Sequence, residues 1–254
     1  MRERSAHKTF KYRLEPTAAQ ARQLAKTLLL CHELYNAAIG ERREAWRMRE
    51  ISLTYYQQKA ELPGIKEALP EFRDVHSQVL QDVILRAERA FRRFFQRVRD
   101  GETPGYPRFQ GRRRYASFTY PQFGNGATLD NGFLVLSKIG RIRVRWSRPL
   151  AGVPKTATVH REVDGWYVCI ACVEVPIQPL PDTGKVTGID LGLKVFAICA
   201  DGTLTENPRY YRRAEKELKK AHTRVSRRKR GSKRRAKAAH NLARKYSKVS
   251  RQRM

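Results

Sequence analysis

One carboxylate stands where strand chemistry disfavours it. Asp190 lies in Gly188-Ile189-Asp190-Leu191-Gly192-Leu193-Lys194, ahead of Val195-Phe196-Ala197-Ile198-Cys199 and the turn Ala200-Asp201-Gly202-Thr203. The segment reads as a buried strand, a tight bend into a second strand, and a hairpin turn. Aspartate is depleted in strands and costly to bury without a partner. The flanking glycines let backbone or ligand approach closely, as a metal or a phosphate requires.

Three readings fit this local pattern. Asp190 is the first acid of a two-metal nuclease of the RNase H-like kind, in which clustered carboxylates hold Mg²⁺ around a scissile phosphate. Alternatively, Gly188-Ile189-Asp190-Leu191-Gly192 is the phosphate hairpin of an actin- or chaperone-like ATPase. Or the Asp caps or salt-bridges locally and does nothing more.

Composition narrows the partner. The chain has 254 residues with 53 Lys and Arg against 24 Asp and Glu, a formal charge of +29. That excess exceeds what solubility needs and implies a polyanion bound through phosphates with counterion release. No apolar run is long enough to span a bilayer and no clean basic amphipathic anchor is present, which argues against a membrane partner. The first residues, Met1 to Lys8, lack the apolar core of a secretory signal, so a cytoplasmic protein is expected. Cys169 and Cys172 form a C-x-x-C inside an apolar, β-branched run. Strand positions three apart face opposite sides, so these thiols are read as core residues rather than zinc ligands.

The elements that must position these residues follow in chain order. Thr9–Leu14 alternates Phe10, Tyr12 and Leu14 with Lys11 and Arg13, the period of a half-buried strand. Thr17 and Gln20 form a capping box for a helix whose buried stripe is Leu24, Leu28, Cys31, Leu34, Tyr35 and Ala38. Thr54 repeats the cap for a short helix ending near Pro63-Gly64. A long helix from about Asp74 to Val98 sets Val79, Leu80, Val83, Ile84, Ala87, Phe91 and Phe94 against Arg86, Arg89, Arg92, Arg93, Arg97 and Arg99. Residues 101–114 interleave Tyr106 and Phe109 with Arg108, Arg112, Arg113 and Arg114 in a Pro- and Gly-fixed loop. Stacking and phosphate contact can both come from such a segment.

From Ala116 to Val175 the pattern is of strands, with hairpin signals at Asn131-Gly132 and Asp164-Gly165. Arg141, Arg143 and Arg145 alternate with Ile142, Val144 and Trp146. A small antiparallel barrel or curled sheet results, which the first strand can join. Val175–Gly184 reads as a proline-punctuated linker and domain boundary. Residues 209–254 hold twenty Lys and Arg and only Glu215 and Glu217 as acids. They keep a helical rhythm either side of Gly231-Ser232, and nucleic-acid-binding helices are expected there.

Together, these residues resemble the TnpB family, the OrfB-type insertion-sequence proteins related to type V CRISPR effectors. The resemblance is carried by Arg13-Leu14-x-Pro16-Thr17-x-x-Gln20, Tyr35-Asn36, Thr54-Tyr55, Ala90-Phe91-x-x-Phe94-Phe95 and Gly105-x-Pro107-Arg108-Phe109. It continues through Gly188–Gly192 with Phe196-Ala197, Asp201-Gly202, Asn207-Pro208-x-Tyr210, and Leu218–Ala221 with Ser226-Arg227-Arg228-Lys229-x-Gly231-Ser232. It implies an α+β chain in three parts. Residues 1–15 plus 115–180 would be a wedge-like antiparallel β-barrel. Residues 16–114 would be an inserted helical recognition unit, and 185–254 the first part of an RNase H-like (RuvC) domain.

The resemblance also implies function. A guide RNA from the transposon end would direct cleavage of double-stranded target DNA, with no small-molecule substrate. Asp190 would be the first catalytic, Mg²⁺-binding acid. Tyr106, Arg108, Phe109, Arg112, Arg113 and Arg114 are the expected nucleic-acid contacts, with Arg227, Arg228 and Lys229 next. Family members continue into a second catalytic Glu, a four-cysteine zinc module and a third catalytic Asp. Zinc is therefore not expected within these residues, and cleavage by them alone is not expected. The alternative is a nuclease-dead RNA- or DNA-binding protein, such as an RNA-guided repressor or a transposition regulator.

Overall fold

The computed structural model describes residues 5–177, 183–184 and 186–252. The chain forms two compact units, 1–177 and 178–254. Residues 178–182 of the Val175–Gly184 linker expected from its prolines lie outside the described residues.

In the first unit, β1 (Ser5–Glu15) leads into α1 (Ala18–Arg49), and the capping box forms as its residues require. Thr17 Oγ1 accepts the Gln20 N–H at 3.3 Å and Gln20 Oε1 accepts the Thr17 N–H at 2.9 Å, satisfying two orphan donors. The Gln20 amide also donates to the Arg141 carbonyl at 2.7 Å, fixing where α1 leaves the sheet. A second capping box at Thr54 and Gln57 starts α2 (Tyr55–Ala60). Pro63-Gly64 does not end that helix as expected. It falls in the first turn of α3 (Leu62–Ala68), where a proline needs no N–H partner. A 3₁₀ turn over Pro70–Asp74 then delays α4 to Ser77–Arg99.

Six further strands complete this unit: β2 (Ser117–Tyr120), β3 (Ala127–Asp130), β4 (Phe133–Leu136), β5 (Gly140–Arg145), β6 (Val153–Glu162) and β7 (Gly165–Pro176). The seven strands pair antiparallel in the order β2-β6-β7-β1-β5-β4-β3. The two edges, β2 and β3, are sequence neighbours. Residues 121–126 bring them together through a Phe123–Ala127 bridge, and the Tyr120 hydroxyl donates to the Ser137 carbonyl at 3.0 Å. The sheet thus curls into a nearly closed antiparallel barrel, which removes most of the exposed edge. Asn131 and Gly132 take positive φ (44° and 79°), as the two-residue β3–β4 turn demands.

One hydrophobic core serves barrel and helices together. Phe10, Tyr12 and Leu14 from β1 are buried with Leu24, Leu28 and Cys31 from α1, Val79, Leu80, Val83 and Ile84 from α4, and Phe118, Val159 and Ile170 from the sheet. Each fully buried aliphatic or aromatic side chain contributes about 1.5–3 kcal/mol relative to exposure. Burial pushes the Cys31 thiol up to about 12, so it packs as a small apolar group. A buried polar seam joins the helices: Arg42 donates to Gln58 at 2.7 Å and to Glu88 at 2.8 Å, and Arg92 reaches Glu88 at 2.9 Å.

The second unit holds β8 (Ile189–Leu191), β9 (Val195–Cys199), β10 (Leu204–Glu206), α5 (Tyr210–Ser226) and α6 (Lys233–Gln252). Its strands form an antiparallel sheet in the order β10-β9-β8. Here the structure corrects the expectation of a buried Asp190 strand. All three residues of β8 are exposed, with Ile189 at 60% and Leu191 at 70%. Alternation assigns side chains to faces but says nothing of what covers a face. Helices α5 and α6 pack chiefly on each other, burying Leu218, Ala221 and Val249.

Candidate nucleic-acid interface

The candidate contacts fall on three sites: the 101–116 segment in the first unit, and the β8 strand and the α5–α6 turn in the second. The 101–116 segment has little secondary structure of its own and is pinned from α1. Asn36 Nδ2 donates to the Gln110 carbonyl at 3.0 Å and Asn36 Oδ1 accepts the Gln110 N–H at 2.8 Å. His32 Nε2 lies 2.7 Å from the same carbonyl. One side chain thus pairs a loop residue as a neighbouring strand would. Asn36 belonged to a sequence motif, but its loop partner was not evident, since the two are remote in sequence.

Tyr106 and Phe109 each give part of their surface to the chain itself. The Tyr106 ring meets Phe91 and Phe94 edge-on at 5.8 and 5.2 Å. The Arg43 guanidinium lies 5.9 Å from the Tyr106 ring and 5.1 Å from Phe109. Tyr106 remains 44% exposed and Phe109 53%, with buried Pro107 holding the chain between them. Rings anchored on one side and free on the other are rigid stacking platforms. Arg108, Arg112, Arg113 and Arg114 are all exposed, and the last three sit in a turn closed by the Arg114 N–H to the Gly111 carbonyl at 2.7 Å.

Behind this segment, α4 supplies charges that the sequence showed only as a basic face. Arg86 is held by Asp82 at 2.8 Å, the Ser117 carbonyl at 2.7 Å and Thr119 Oγ1 at 2.6 Å. Its planar fork locks α4 onto β2. The i, i+3, i+7 spacing of Arg86, Arg89 and Arg93 places them on one helical face, a signal available in the sequence.

In the second unit, Arg227 ends α5, its N–H bonding to the Thr223 carbonyl at 3.1 Å. Arg228 Nη1 donates to the Arg234 carbonyl at 3.3 Å, and Ser232 Oγ caps α6 by accepting the Arg235 N–H at 3.1 Å. Lys229 is exposed in the turn between the helices. A hydrogen bond between His222 and Tyr246 and an ion pair from Lys245 to Glu217 at 2.6 Å hold the two helices in register. Most of the other described cations of the hairpin are exposed, with Lys219 paired to Glu215 and Lys220 to Glu217.

Asp190 sits mid-strand opposite Ile198, which in turn faces Leu204 across β9. Its two sequence neighbours in acidity do not join it. Asp201 accepts the Thr203 N–H at 2.9 Å in the hairpin turn, and that bond holds its carboxyl below the usual range. Glu206 pairs with Val195 beyond a bulge. Among the described residues no group of three or more His, Cys, Asp or Glu could hold a metal ion.

Comparison with known proteins bears on the family. A family model described as "Probable transposase" matches residues 169–254, and one described as "Helix-turn-helix domain" matches residues 1–50. A "Putative RNA-guided DNA endonuclease" of Streptomyces pristinaespiralis is 34% identical over 250 residues, which is 96% of this chain and 60% of that protein. The chain belongs to the TnpB family. A second relative, "Putative RNA-guided DNA endonuclease InsQ" of Escherichia coli K12, is 28% identical over 222 residues, covering 86% of this chain and 53% of its own length. The chain therefore spans little more than half the length of these TnpB-type relatives.

Among solved structures, one described as "Cryo-EM structure of the Cas12f1-sgRNA-target DNA complex" covers 98% of this chain and 66% of its own, with 12% identity and a TM-score of 0.39. The helix-turn-helix description does not fit the local structure of this TnpB chain. Residues 5–49 form a strand and one continuous helix of 32 residues. Among the described residues no helix is long and apolar enough to cross a membrane.

Proposed function

We propose that this chain is the nucleic-acid-binding part of a TnpB-type RNA-guided DNA endonuclease, taking a guide RNA from the transposon end and a double-stranded DNA target. The observation that carries the binding is the α5–α6 hairpin, where twenty Lys and Arg between residues 209 and 254 meet only two acids. The RNA-guided activity is the one for which the two relatives are named. In this reading, residues 1–15 with 115–180 are the wedge-like barrel, 16–114 the recognition insert and 185–254 the opening of a RuvC-like domain. An antiparallel three-stranded sheet with an Asp on its first strand, followed by a helix, supports the last assignment.

Asp190 would contribute one carboxylate to a Mg²⁺ site. The residues present do not fit a metal pair. In-line phosphoryl transfer with two ions needs several carboxylates around metals roughly 4 Å apart, and the residues aligned across the sheet from Asp190, Ile198 and Leu204, supply none. No catalytic step is therefore derived from these residues. That isolation favours a second reading, in which they bind without cutting, as an RNA-guided repressor or transposition regulator does.

Binding of labelled transposon-end RNA across a salt series tests the common core of both. The expected result is salt-steep binding that favours this RNA over a scrambled RNA of equal length. Equal affinity for both RNAs would remove the guide reading and leave a general polyanion binder.

A further inference from the structure

A cleft of about 470 Å³ opens in the first unit between α4 and residues 110–117, lined by Tyr35, Arg86, Arg89, Arg93, Arg114 and Tyr115 among others. Its arginines differ in one respect. Arg86 is neutralised by Asp82 and fixed to β2. Arg89, Arg93 and Arg114 have no carboxylate partner among the described residues. The acids nearby on α4 are committed, Asp82 to Arg86 and Glu88 to both Arg42 and Arg92.

We propose that this cleft is a phosphoryl-binding site that receives the backbone of the bound polynucleotide, an inference resting on the nucleic-acid-binding reading above. Three like charges around one cleft repel each other, most of all where low-dielectric walls reduce screening, and an anion relieves that repulsion. The guanidinium fork matches phosphate oxygens two at a time, which a lysine cannot do. Arg89 and Arg93 are one helical turn apart. Arg114 reaches the cleft from a segment anchored by Asn36 and His32 at Gln110. The cations come from two separate elements, an arrangement suited to successive phosphates rather than to one. The cleft also adjoins the segment that carries Tyr106 and Phe109, so a strand crossing it would have stacking platforms within the same loop.

The test compares three forms of the 254-residue chain: wild type, Arg89→Ala/Arg93→Ala, and a charge-matched control, Arg99→Ala/Arg145→Ala, at exposed arginines outside the cleft. Arg86 is left intact because it joins helix to sheet. Each form is titrated with a labelled RNA over a salt series, and its melting temperature is measured with inorganic pyrophosphate.

The cleft variant is expected to lose about tenfold in RNA affinity and roughly two counterions from the salt slope, with the control changing much less. It should also lose the stabilisation by pyrophosphate. Equal behaviour of cleft and control variants in both measurements overturns the site. Loss of the pyrophosphate effect with RNA affinity matching the control keeps the phosphoryl site and overturns its assignment to a nucleic-acid backbone. Wild type that binds no RNA, while pyrophosphate still acts through Arg89 and Arg93, overturns the nucleic-acid reading and leaves the anion site standing.

Discussion

Strands β1 and β8 present the same apolar alternation in opposite settings. In β1, Phe10, Tyr12 and Leu14 are at most 3% exposed, enclosed by the barrel and by α1 and α4. In β8, Ile189 and Leu191 are 60% and 70% exposed, on a sheet of three short strands. The strand pattern is equivalent, so the difference lies in the layer that covers it. The first unit draws its stability from apolar burial, whereas the second combines two helices held by a small apolar seam with open sheet faces.

The largest test of that contrast is a pair of truncations. Phe118→Ala, at a fully buried ring of the barrel, should cost roughly 3–5 kcal/mol in urea unfolding. Leu191→Ala should change stability by no more than about 0.5 kcal/mol. Similar losses would mean that the β8 face is covered after all.

Charge pairs sharpen the same comparison. Arg42 is 7% exposed at the side chain, and its removal leaves Glu88 and Gln58 short of a partner in the interior. Arg42→Ala should cost about 3 kcal/mol. Lys245→Ala breaks a more exposed pair with Glu217 and should lower the unfolding midpoint far less than Arg42→Ala does.

Two glycines make a third pair. Gly152 has φ +76°, and a Cβ there would lie 2.3 Å from the Val173 carbonyl oxygen, whereas Gly202 has φ +83° with open space around it. Gly152→Ala should cost about 2–3 kcal/mol and Gly202→Ala about 1 kcal/mol, the backbone strain alone. Equal costs would show that the β6–β7 region yields to the added methyl.

Protonation should also act on the first unit. Burial, with help from Lys66 and Lys138, lowers the pKa of His76, and burial, with Lys11, lowers that of His160. A lowered folded-state pKa contributes stability above the unfolded value of about 6.5, lost as pH falls through the folded value. Melting temperature should therefore decline below about pH 6.5, and His76→Phe should flatten the decline. An unchanged profile would remove His76 from the account. Smallest in expected size, Arg227→Ala/Arg228→Ala should lower the salt slope of RNA binding by about one to two counterions. An unaltered slope would take these residues off the binding face.

What could be read from the sequence was local. The capping boxes at Thr17 and Thr54, the turn at Asn131-Gly132 and the alternation of Arg141, Arg143 and Arg145 each depend on residues close in the chain, and each formed. The features that escaped depend on distant partners. Asn36 holding Gln110 and Arg86 holding Ser117 and Thr119 were not evident, because neither pair has a sequence periodicity. The exposure of Asp190 escaped for the same reason: its neighbours Ile189 and Leu191 show a strand but not its cover.

The central claim is binding without cleavage by these residues. It is tested most directly by incubating the chain with transposon-end RNA, matching double-stranded DNA and Mg²⁺, then resolving complexes and DNA products on parallel gels. A retained RNA–DNA–protein complex with intact DNA is the expected result. Cut DNA that Asp190→Ala abolishes would contradict it, and would mean that Asp190 finds its partner carboxylates within these 254 residues.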